Sequence, residues 1–231
     1  MEINSKLNMR IVKKIQSHGA NSSLYIVEDT QLNEIFMLKQ IDKNKIKESS
    51  KYFDEVRNVK DMENKNIVKV NYATYDDDNI YISMPYYKNG SLQDILQERN
   101  LTVREIVKYS LEILSGLYYI HKKNILHCDI KPSNILIDDY GCAVLADFGS
   151  AININHSGVG KLKNVYYKHI APEQCYSSRV DVRVDIYQFG NTLYRMCNGE
   201  EEYNKQVKKS KNMTELKNAI VNGSFPSRKK Y

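Results

Sequence analysis

Residues 127–134 read H-C-D-I-K-P-S-N and bring three kinds of reactive side chain into one short loop. Pro132 stops a helix from running through the loop, because proline lacks a backbone N–H. The Asp129 carboxylate can accept a hydroxyl proton, the Lys131 ammonium can neutralise a phosphoryl oxygen, and the Asn134 amide oxygen can hold a metal ion. These side chains suit the handling of an alcohol and a phosphate. One eight-residue match by itself also fits an ordinary charged surface turn, so the other motifs of the chain decide between the two.

An apolar hairpin follows this loop and leads to another carboxylate. Residues 135–137 and 142–146 flank the turn residues 138–141, a pattern that predicts two short strands. Asp147 then begins the sequence D-F-G, thirteen residues after Asn134. A lone D-F-G is common by chance, but one behind a hairpin at this distance is a specific motif.

These motifs resemble the catalytic loop and the D-F-G sequence of protein kinases. Two later stretches fit the same family: residues 171–173 read A-P-E, and residues 185–190 read D-I-Y-Q-F-G. The D-I-K-P run at 129–132 is similar to the serine/threonine branch. The resemblance implies Mg-ATP as phosphate donor, with Mn²⁺ as an alternative metal, and a protein hydroxyl as acceptor.

The resemblance also implies a role for each side chain of the catalytic loop. Asp129 would position or deprotonate the hydroxyl, and Lys131 would neutralise the γ-phosphate. Asn134 and Asp147 would hold the metal ion.

The N-terminal part of the chain predicts an antiparallel sheet with one helix. Residues 9–41 contain three β-branched stretches, the first two separated by a turn at 17–22, and further strands are predicted at 70–75 and 80–84. Residues 50–64 have helical spacing.

The family resemblance assigns the nucleotide site largely to this region. Lys39 is similar to the strand lysine that binds the α- and β-phosphates, and Glu55, sixteen residues later, would hold its ammonium in place. Gly19 is the one glycine left where kinases have a glycine-rich loop, and Met37 stands where alanine is usual. The predicted nucleotide-binding residues are Ser17, Gly19, Ser22, Leu24, Met37, Lys39, Glu55, Met84, Pro85, Tyr87 and Leu136.

A long helix at 102–122 should deliver the chain to the catalytic loop. Thr102 and Glu105 have the spacing of a capping box. Its apolar positions are predicted to be core: Ile106, Tyr109, Ile113, Leu114, Leu117 and Ile120. Asp185 is expected to anchor the backbone of the catalytic loop, since a buried carboxylate needs hydrogen-bond donors.

Together these elements predict an α+β, two-lobed protein-kinase-like fold in a single domain over residues 1–231. The N-lobe, about 1–84, would hold a five-stranded antiparallel sheet and one helix, and the hinge would span about 85–90. The C-lobe, about 91–231, would be mainly helical. Its last predicted helix is 212–221, after which the family's final helices are missing. We therefore expect a C-lobe truncated at its C-terminal end and covered by a partner or a second copy.

The net charge of +6 is concentrated near the C-terminus. Residues 205–231 hold eight Lys or Arg and one Glu, a charge of +7, so the other 204 residues sum to −1. Such a segment can bind an acidic protein, a membrane surface or nucleic acid, and an acidic partner is the hypothesis kept here; a solvated lysine-rich face is the simpler alternative. Aromatic residues do not interleave with the cations before Phe225, which disfavours nucleic acid.

Composition indicates a protein of a reducing compartment, the cytoplasm. The four cysteines form no C-x-x-C pair, which argues against a disulfide framework. No apolar run approaches the ~20 residues of a membrane span, and the N-terminus lacks a signal-peptide core.

Cys128 is the main departure within the catalytic loop, because kinases usually carry arginine there to pair with a phosphorylated activation segment. A pseudokinase scaffold that binds nucleotide is the alternative reading, favoured by the degenerate glycine loop, Met37 and the missing helices. A small-molecule kinase is disfavoured by the A-P-E sequence. A nucleic-acid-binding module is suggested by the basic segment alone.

Overall fold

The computed structural model describes residues 8–15, 22–45, 53–162 and 170–226. Backbone contacts divide the chain into two compact units. The first comprises residues 1–63 and 68–88, and the second comprises 64–67 and 89–231.

Five strands and a helix build the first unit. In chain order they are β1 (Met9–Ile15), β2 (Ser22–Asp29), β3 (Glu34–Asp42), α1 (Asp54–Val59), β4 (Tyr72–Tyr75) and β5 (Asn79–Pro85). The strands form one sheet in the order β1-β2-β3-β5-β4, and every neighbouring pair is antiparallel. The predicted five-stranded antiparallel sheet is confirmed.

Carboxylates close the tight turns of this sheet. Asp29 Oδ1 accepts hydrogen bonds from the backbone N–H groups of Gln31 and Leu32, at 2.8 and 3.1 Å, where β2 turns into β3. Asp76 does the same between β4 and β5, and it also accepts from the Tyr81 hydroxyl at 2.7 Å. These hydrogen bonds lower the pKa of the Asp76 carboxyl, and the bond from Tyr81 contributes most. The aspartates therefore supply the acceptors that each turn's backbone needs.

Helix α1 is shorter in the described residues than the predicted 50–64. Residues 46–52 lie outside the description, and the helix ends at Val59, with Lys60 as its C-cap. Five residues later the Asn64 side chain accepts the N–H of Asn66 at 2.8 Å. This local side-chain bond competes with helical pairing and favours a turn.

The second unit is mainly helical, as predicted. In chain order its elements are α2 (Leu92–Glu98), α3 (Val103–Lys122), β6 (Ile125–Leu126), β7 (Ile135–Ile137), β8 (Ala143–Leu145), β9 (Ile152–Asn153), β10 (Gly160–Lys161), β11 (Arg179–Val180), α4 (Arg183–Asn198), α5 (Glu200–Lys209) and α6 (Met213–Val221). The strands pair as three two-stranded antiparallel sheets, β6 with β9, β7 with β8 and β10 with β11.

Helix α3 begins at its predicted capping box. The Thr102 hydroxyl accepts the N–H of Glu105, and the Glu105 carboxylate accepts the N–H of Thr102 at 2.8 Å. Gly116 allows α3 to pack closely on β8, since a Cβ there would lie 2.8 Å from a Leu145 methyl carbon. Six positions of α3 were expected in the core, and the prediction is wrong for Leu114, which is 36% exposed.

Helices α2 and α5 are absent from the sequence predictions. Helix α2 has only seven residues and α5 is strongly charged, so neither presents a long apolar stripe. Helix α5 is held by tertiary contacts instead: Tyr203 is buried with Leu216 and Ile220 of α6, and Arg195 of α4 pairs with Glu200 at 2.6 Å. Apart from residues 227–231, which lie outside the description, the basic segment 205–231 is folded into the end of α5, α6 and the turn after it. None of the helices in the described residues is long and apolar enough to span a bilayer.

Candidate active site

The three polar side chains of the catalytic loop are joined by direct hydrogen bonds. Asp129 is 5% exposed, and its Oδ2 accepts from Lys131 Nζ at 2.7 Å and from Asn134 Nδ2 at 2.9 Å. Asn134 Nδ2 also donates to the Asp129 carbonyl at 2.9 Å. Within the described residues, Asp129 Oδ1 has no hydrogen bond, so this oxygen is available to an incoming hydroxyl.

Asp185 of α4 anchors the start of the loop, as predicted. This fully buried carboxylate accepts the backbone N–H of His127 at 2.9 Å and that of Cys128 at 2.7 Å. His121, at the end of α3, donates its Nε2–H to the same carboxylate at 2.8 Å. Three donors compensate the buried charge and tie the loop to two helices.

Gln188 holds the backbone of the catalytic loop, although no sequence motif indicated it. It is buried on α4 and bonds the backbone on both sides of Asp129. Its Oε1 accepts the N–H of Ile130 at 2.9 Å, and its Nε2 donates to the Cys128 carbonyl at 3.1 Å. Gln188 lies three residues after Asp185, so the two share a helix face. That spacing is the signal that could have revealed it.

Cys128 has a left-handed backbone and an apolar environment. Its φ is 64°, a conformation that residues other than glycine seldom adopt. Its side chain belongs to a buried cluster with Leu126, Leu162, Ala171, Val180 and Val184. Burial, with smaller contributions from Asp185 and Asp129, raises the pKa of the thiol, which is therefore neutral. Leu162 and Ala171 lie between Asp147 and Glu173, so apolar packing joins these two positions to the catalytic loop.

His127 and Asn134 connect the loop to the strand that carries Asp147. His127 Nε2–H donates to the Ala146 carbonyl at 3.0 Å, and its ring packs on Phe148 with the ring centres 4.7 Å apart. The Ala146 N–H donates to the Asn134 carbonyl at 2.9 Å. Asp147 follows directly, exposed and with a left-handed φ of 61°. The backbone thus brings Asp147 close to Asn134 in space.

The donor set of Asn134 and Asp147 fits magnesium. Because Asn134 Nδ2 is occupied by Asp129, its Oδ1 is the free end of the amide, with only a long 3.5 Å bond from the Ser133 hydroxyl within the described residues. No group of three or more His, Cys, Asp or Glu that could hold a metal occurs among the described residues. Mg²⁺ needs only one or two protein oxygens, since waters and substrate phosphates complete its shell.

In the first unit the predicted pair of Lys39 and Glu55 is present. Lys39 Nζ lies 2.8 Å from both Glu55 carboxylate oxygens, and the two side chains are 10% and 14% exposed. A carboxylate that contacts the ammonium through both oxygens fixes its position on β3.

The register of the sheet brings further predicted residues to the face that carries Lys39. Leu24 of β2 lies opposite Lys39, and Met84 of β5 lies opposite Met37. Directly opposed residues share a face, as do residues two apart in a strand. Ser22 shares this face as well, although it begins β2 and does not belong to the predicted turn.

The remaining predicted nucleotide-binding residues are placed as follows. Pro85 ends β5, Tyr87 lies two residues beyond it, and Leu136 is half-buried in β7 of the second unit. Ser17 and Gly19 lie outside the described residues.

Comparison with known proteins identifies the same family over almost the whole chain. The family model described as the protein kinase domain matches residues 11–230. A serine/threonine-protein kinase of Candida albicans is 30% identical over 84% of this chain and 20% of its own length. A probable serine/threonine-protein kinase of Clostridium acetobutylicum is 31% identical over 88% of this chain and 32% of its own length.

A third relative is the 3-phosphoinositide-dependent protein kinase B of Dictyostelium discoideum. It is 33% identical over 79% of this chain and 21% of its own length. The chain therefore spans between a fifth and a third of the length of these curated relatives.

Proposed function

This chain belongs to the protein kinase family, and from that premise we propose that it is an active kinase that phosphorylates protein serine or threonine with Mg-ATP. The observation that carries the proposal is the hydrogen-bonded group of Asp129, Lys131 and Asn134, in which Asp129 Oδ1 has no hydrogen bond from any described residue. The relatives named above are serine/threonine-protein kinases or probable ones, which supports the serine/threonine assignment.

Asp129 is the proposed positioning group or base for the substrate hydroxyl. Oδ2 is held by Lys131 and Asn134, so the carboxylate keeps one orientation and directs Oδ1 at the acceptor. Gln188 fixes the peptide groups before and after Asp129, which limits the positions that Oδ1 can take. Holding reacting groups in place in this way is a large part of phosphoryl-transfer catalysis.

The cationic side chains have separate proposed roles. Lys131, 23% exposed at its side chain, can neutralise a γ-phosphoryl oxygen while it stays near Asp129. Lys39 would bind the α- and β-phosphates, held in position by Glu55. The apolar face of the sheet around Leu24, Met37 and Met84 would receive the adenine.

Asn134 and Asp147 are the proposed metal ligands. Magnesium at this site would neutralise phosphate oxygens as negative charge moves toward the leaving group. The bond from Ala146 N–H to the Asn134 carbonyl keeps the two ligands at a fixed backbone separation.

The pseudokinase alternative rests on the nucleotide-binding face. Met37 and Met84 oppose each other across β3 and β5. Both side chains are larger than the alanine that kinases usually carry at the position of Met37. This bulk bears on ATP affinity more than on chemistry. A scaffold without catalytic function has no need of the Asp129 carboxylate and the Asn134 amide together, so we favour weak nucleotide binding with intact phosphoryl transfer.

The test compares the wild type with Asp129→Asn in transfer of the γ-phosphate to a serine-rich protein mixture. Asparagine keeps the shape and removes the basic carboxylate, and losing such a group lowers the rate about 10²- to 10⁴-fold. Asp77→Asn, in the exposed β4–β5 turn, is the matched control and should retain wild-type activity. If the folded wild type binds ATP yet transfers no more phosphate than Asp129→Asn, the pseudokinase reading is correct.

A further inference from the structure

Helix α3 exposes a row of large apolar side chains along almost its whole length. The row, called here the α3 stripe, consists of Val103 (77% exposed), Val107 (53%), Leu111 (64%), Leu114 (36%) and Tyr118 (65%). Helix α3 also buries a full set of apolar residues on another face, among them Ile113, Leu117 and Ile120. The stripe is therefore additional to the face that holds the helix in the fold.

The five side chains form one continuous surface. At about 100° per residue they fall within about 80° of one another around the helix axis, and they extend over about 22 Å along it. Isolated apolar residues on a protein surface are ordinary, but contiguous apolar patches mark sites of interaction.

One edge of the stripe is cationic. Arg104 and Lys122 are eighteen residues apart, which is five full turns, so both lie beside the stripe on the same edge. Lys108 lies slightly further round on that side. Within the described part of the chain neither Arg104 nor Lys122 pairs with a carboxylate, and the Lys122 ammonium lies 5.6 Å from the centre of the Tyr118 ring.

The acidic residues of α3 are directed elsewhere. Glu105 pairs with Arg99 at 2.6 Å, and Glu112 accepts the Ala143 N–H at 2.8 Å and approaches Lys108 at 4.0 Å. The stripe consequently offers an apolar surface with positive charge on one side, and no carboxylate of the described residues balances Arg104 or Lys122.

This charge pattern disfavours a second copy of the chain as the occupant. An antiparallel two-fold pairing would bring the same edge of both helices together, so Arg104 of one copy would lie near Lys122 of the other. A parallel pairing would align the two helix dipoles unfavourably. A complementary occupant has apolar side chains along one face and carboxylates along its edge.

We propose that the α3 stripe is a docking surface for an amphipathic helix of another protein. The apolar face of that helix covers Val103, Val107, Leu111, Leu114 and Tyr118, and its Asp or Glu residues lie along the edge of Arg104 and Lys122. Such a helix uses the same apolar spacing as the stripe itself.

The test uses two synthetic helical peptides of about 18 residues, five turns long. Both carry leucines at i, i+4, i+7 and i+11, and one has glutamates along one edge where the other has lysines. Binding of labelled peptide to the full chain is followed by fluorescence anisotropy. We expect the acidic peptide to bind about tenfold or more tightly than the basic one, with an affinity that falls as salt rises.

Three variants test the surface itself. Leu111→Gln should weaken binding of the acidic peptide about tenfold, because Leu111 is the middle residue of the stripe. Leu32→Gln is the matched control, since Leu32 is also 64% exposed but lies in a turn of the first unit, and it should bind normally. The double change Arg104→Glu with Lys122→Glu should reverse the preference in favour of the basic peptide. This variant tests the surface even if Leu111→Gln folds poorly.

Several outcomes would overturn the proposal. They are equal binding of the two peptides, no binding of either, or an effect of Leu111→Gln no larger than that of Leu32→Gln. Light scattering of the chain alone provides a further check: a dimer that Leu111→Gln dissociates would show that a second copy is the occupant. None of these measurements requires phosphoryl transfer, so they are independent of the proposed catalytic function.

Discussion

Asp147 adopts a left-handed backbone, and that conformation determines which substitution can test its role. Its φ is 61° and its side chain is exposed. Asparagine tolerates this conformation better than alanine, so Asp147→Asn removes the charge without straining the turn.

We expect Asp147→Asn to lose magnesium-dependent ATP binding, because a neutral amide holds a hard divalent cation more weakly than a carboxylate. Nucleotide affinity measured by calorimetry, with and without Mg²⁺, checks this. Asp129→Asn should keep the magnesium dependence, since that carboxylate is not a proposed ligand. Magnesium-dependent binding that is unchanged in Asp147→Asn would remove this residue from the metal site.

Gln188 gives a prediction that separates catalysis from stability. Gln188→Met keeps the volume but removes both bonds to the loop, and each lost bond lowers the free energy of unfolding by about 1 kcal/mol. We expect kcat to fall about tenfold with KM for ATP unchanged, because the orientation of Asp129 is what the bonds maintain.

Gln206→Met is the matched control for that experiment. Gln206 is also buried and also donates its amide, to the Tyr194 hydroxyl at 2.6 Å, but it lies on α5 away from the loop. Gln206→Met should lower the free energy of unfolding by a similar amount and keep the wild-type kcat. Equal kcat in the two variants would reduce Gln188 to a structural residue.

At the scale of elements, apolar packing holds Leu162 and Ala171, on the described parts of the stretch from Asp147 to Glu173, against the catalytic loop. Leu162 and Ala171 lie in one buried cluster with the neutral Cys128, and Val180 and Val184 complete it. An arginine at position 128 would need a phosphate or carboxylate to balance its charge, whereas a thiol needs none.

We therefore expect activity without phosphorylation of this segment. Protein prepared free of phosphate should phosphorylate substrate at its full rate, and Ser157→Ala should match the wild type. Ser157 is exposed, and its hydroxyl donates to the Asn155 side chain at 2.7 Å, so the alanine variant is expected to fold. A large gain in rate after phosphorylation at Ser157 would contradict the expectation that activity does not require phosphorylation of this segment.

At the scale of the whole molecule, the described cations near the C-terminus lie on or directly beside helices α5 and α6. Lys208 and Lys209 end α5, and Lys211 lies just before α6; all three are exposed. Cations held on a folded surface keep fixed separations, which favours an acidic partner of matching geometry.

Neutralising Lys208, Lys209 and Lys211 to glutamine should weaken binding to an acidic polypeptide such as polyglutamate at low salt, with little effect above about 0.5 M salt. The matched control neutralises Lys60, Lys65 and Lys69, which are exposed and change the net charge equally. If both triple variants weaken binding to the same degree, net charge alone is responsible and the segment has no particular role.

The prediction that a partner or a second copy covers the C-lobe stays a prediction. The α3 stripe is a described surface with the apolar character that such a contact requires. Its test with acidic and basic peptides bears on that prediction directly.

Local pattern was enough to predict much of this protein. The strands of the sheet, the β7–β8 hairpin, the cap of α3 and helix α6 follow from alternation, helical spacing and capping residues, all of which act over a few positions. Asp129, Lys131 and Asn134 are within six residues of one another, so their grouping is also visible in the sequence.

Tertiary structure decided what depends on distant or competing contacts. Gln188 reaches Ile130 across 58 residues, and the neutral state of Cys128 comes from side chains far along the chain. Helix α3 carries apolar residues on two adjoining faces, and periodicity does not show which face the fold buries. Leu114 was consequently predicted to be core although it lies in the exposed stripe. Burial is a property of the packed chain, so which apolar face remains exposed follows only from the arrangement of its neighbours.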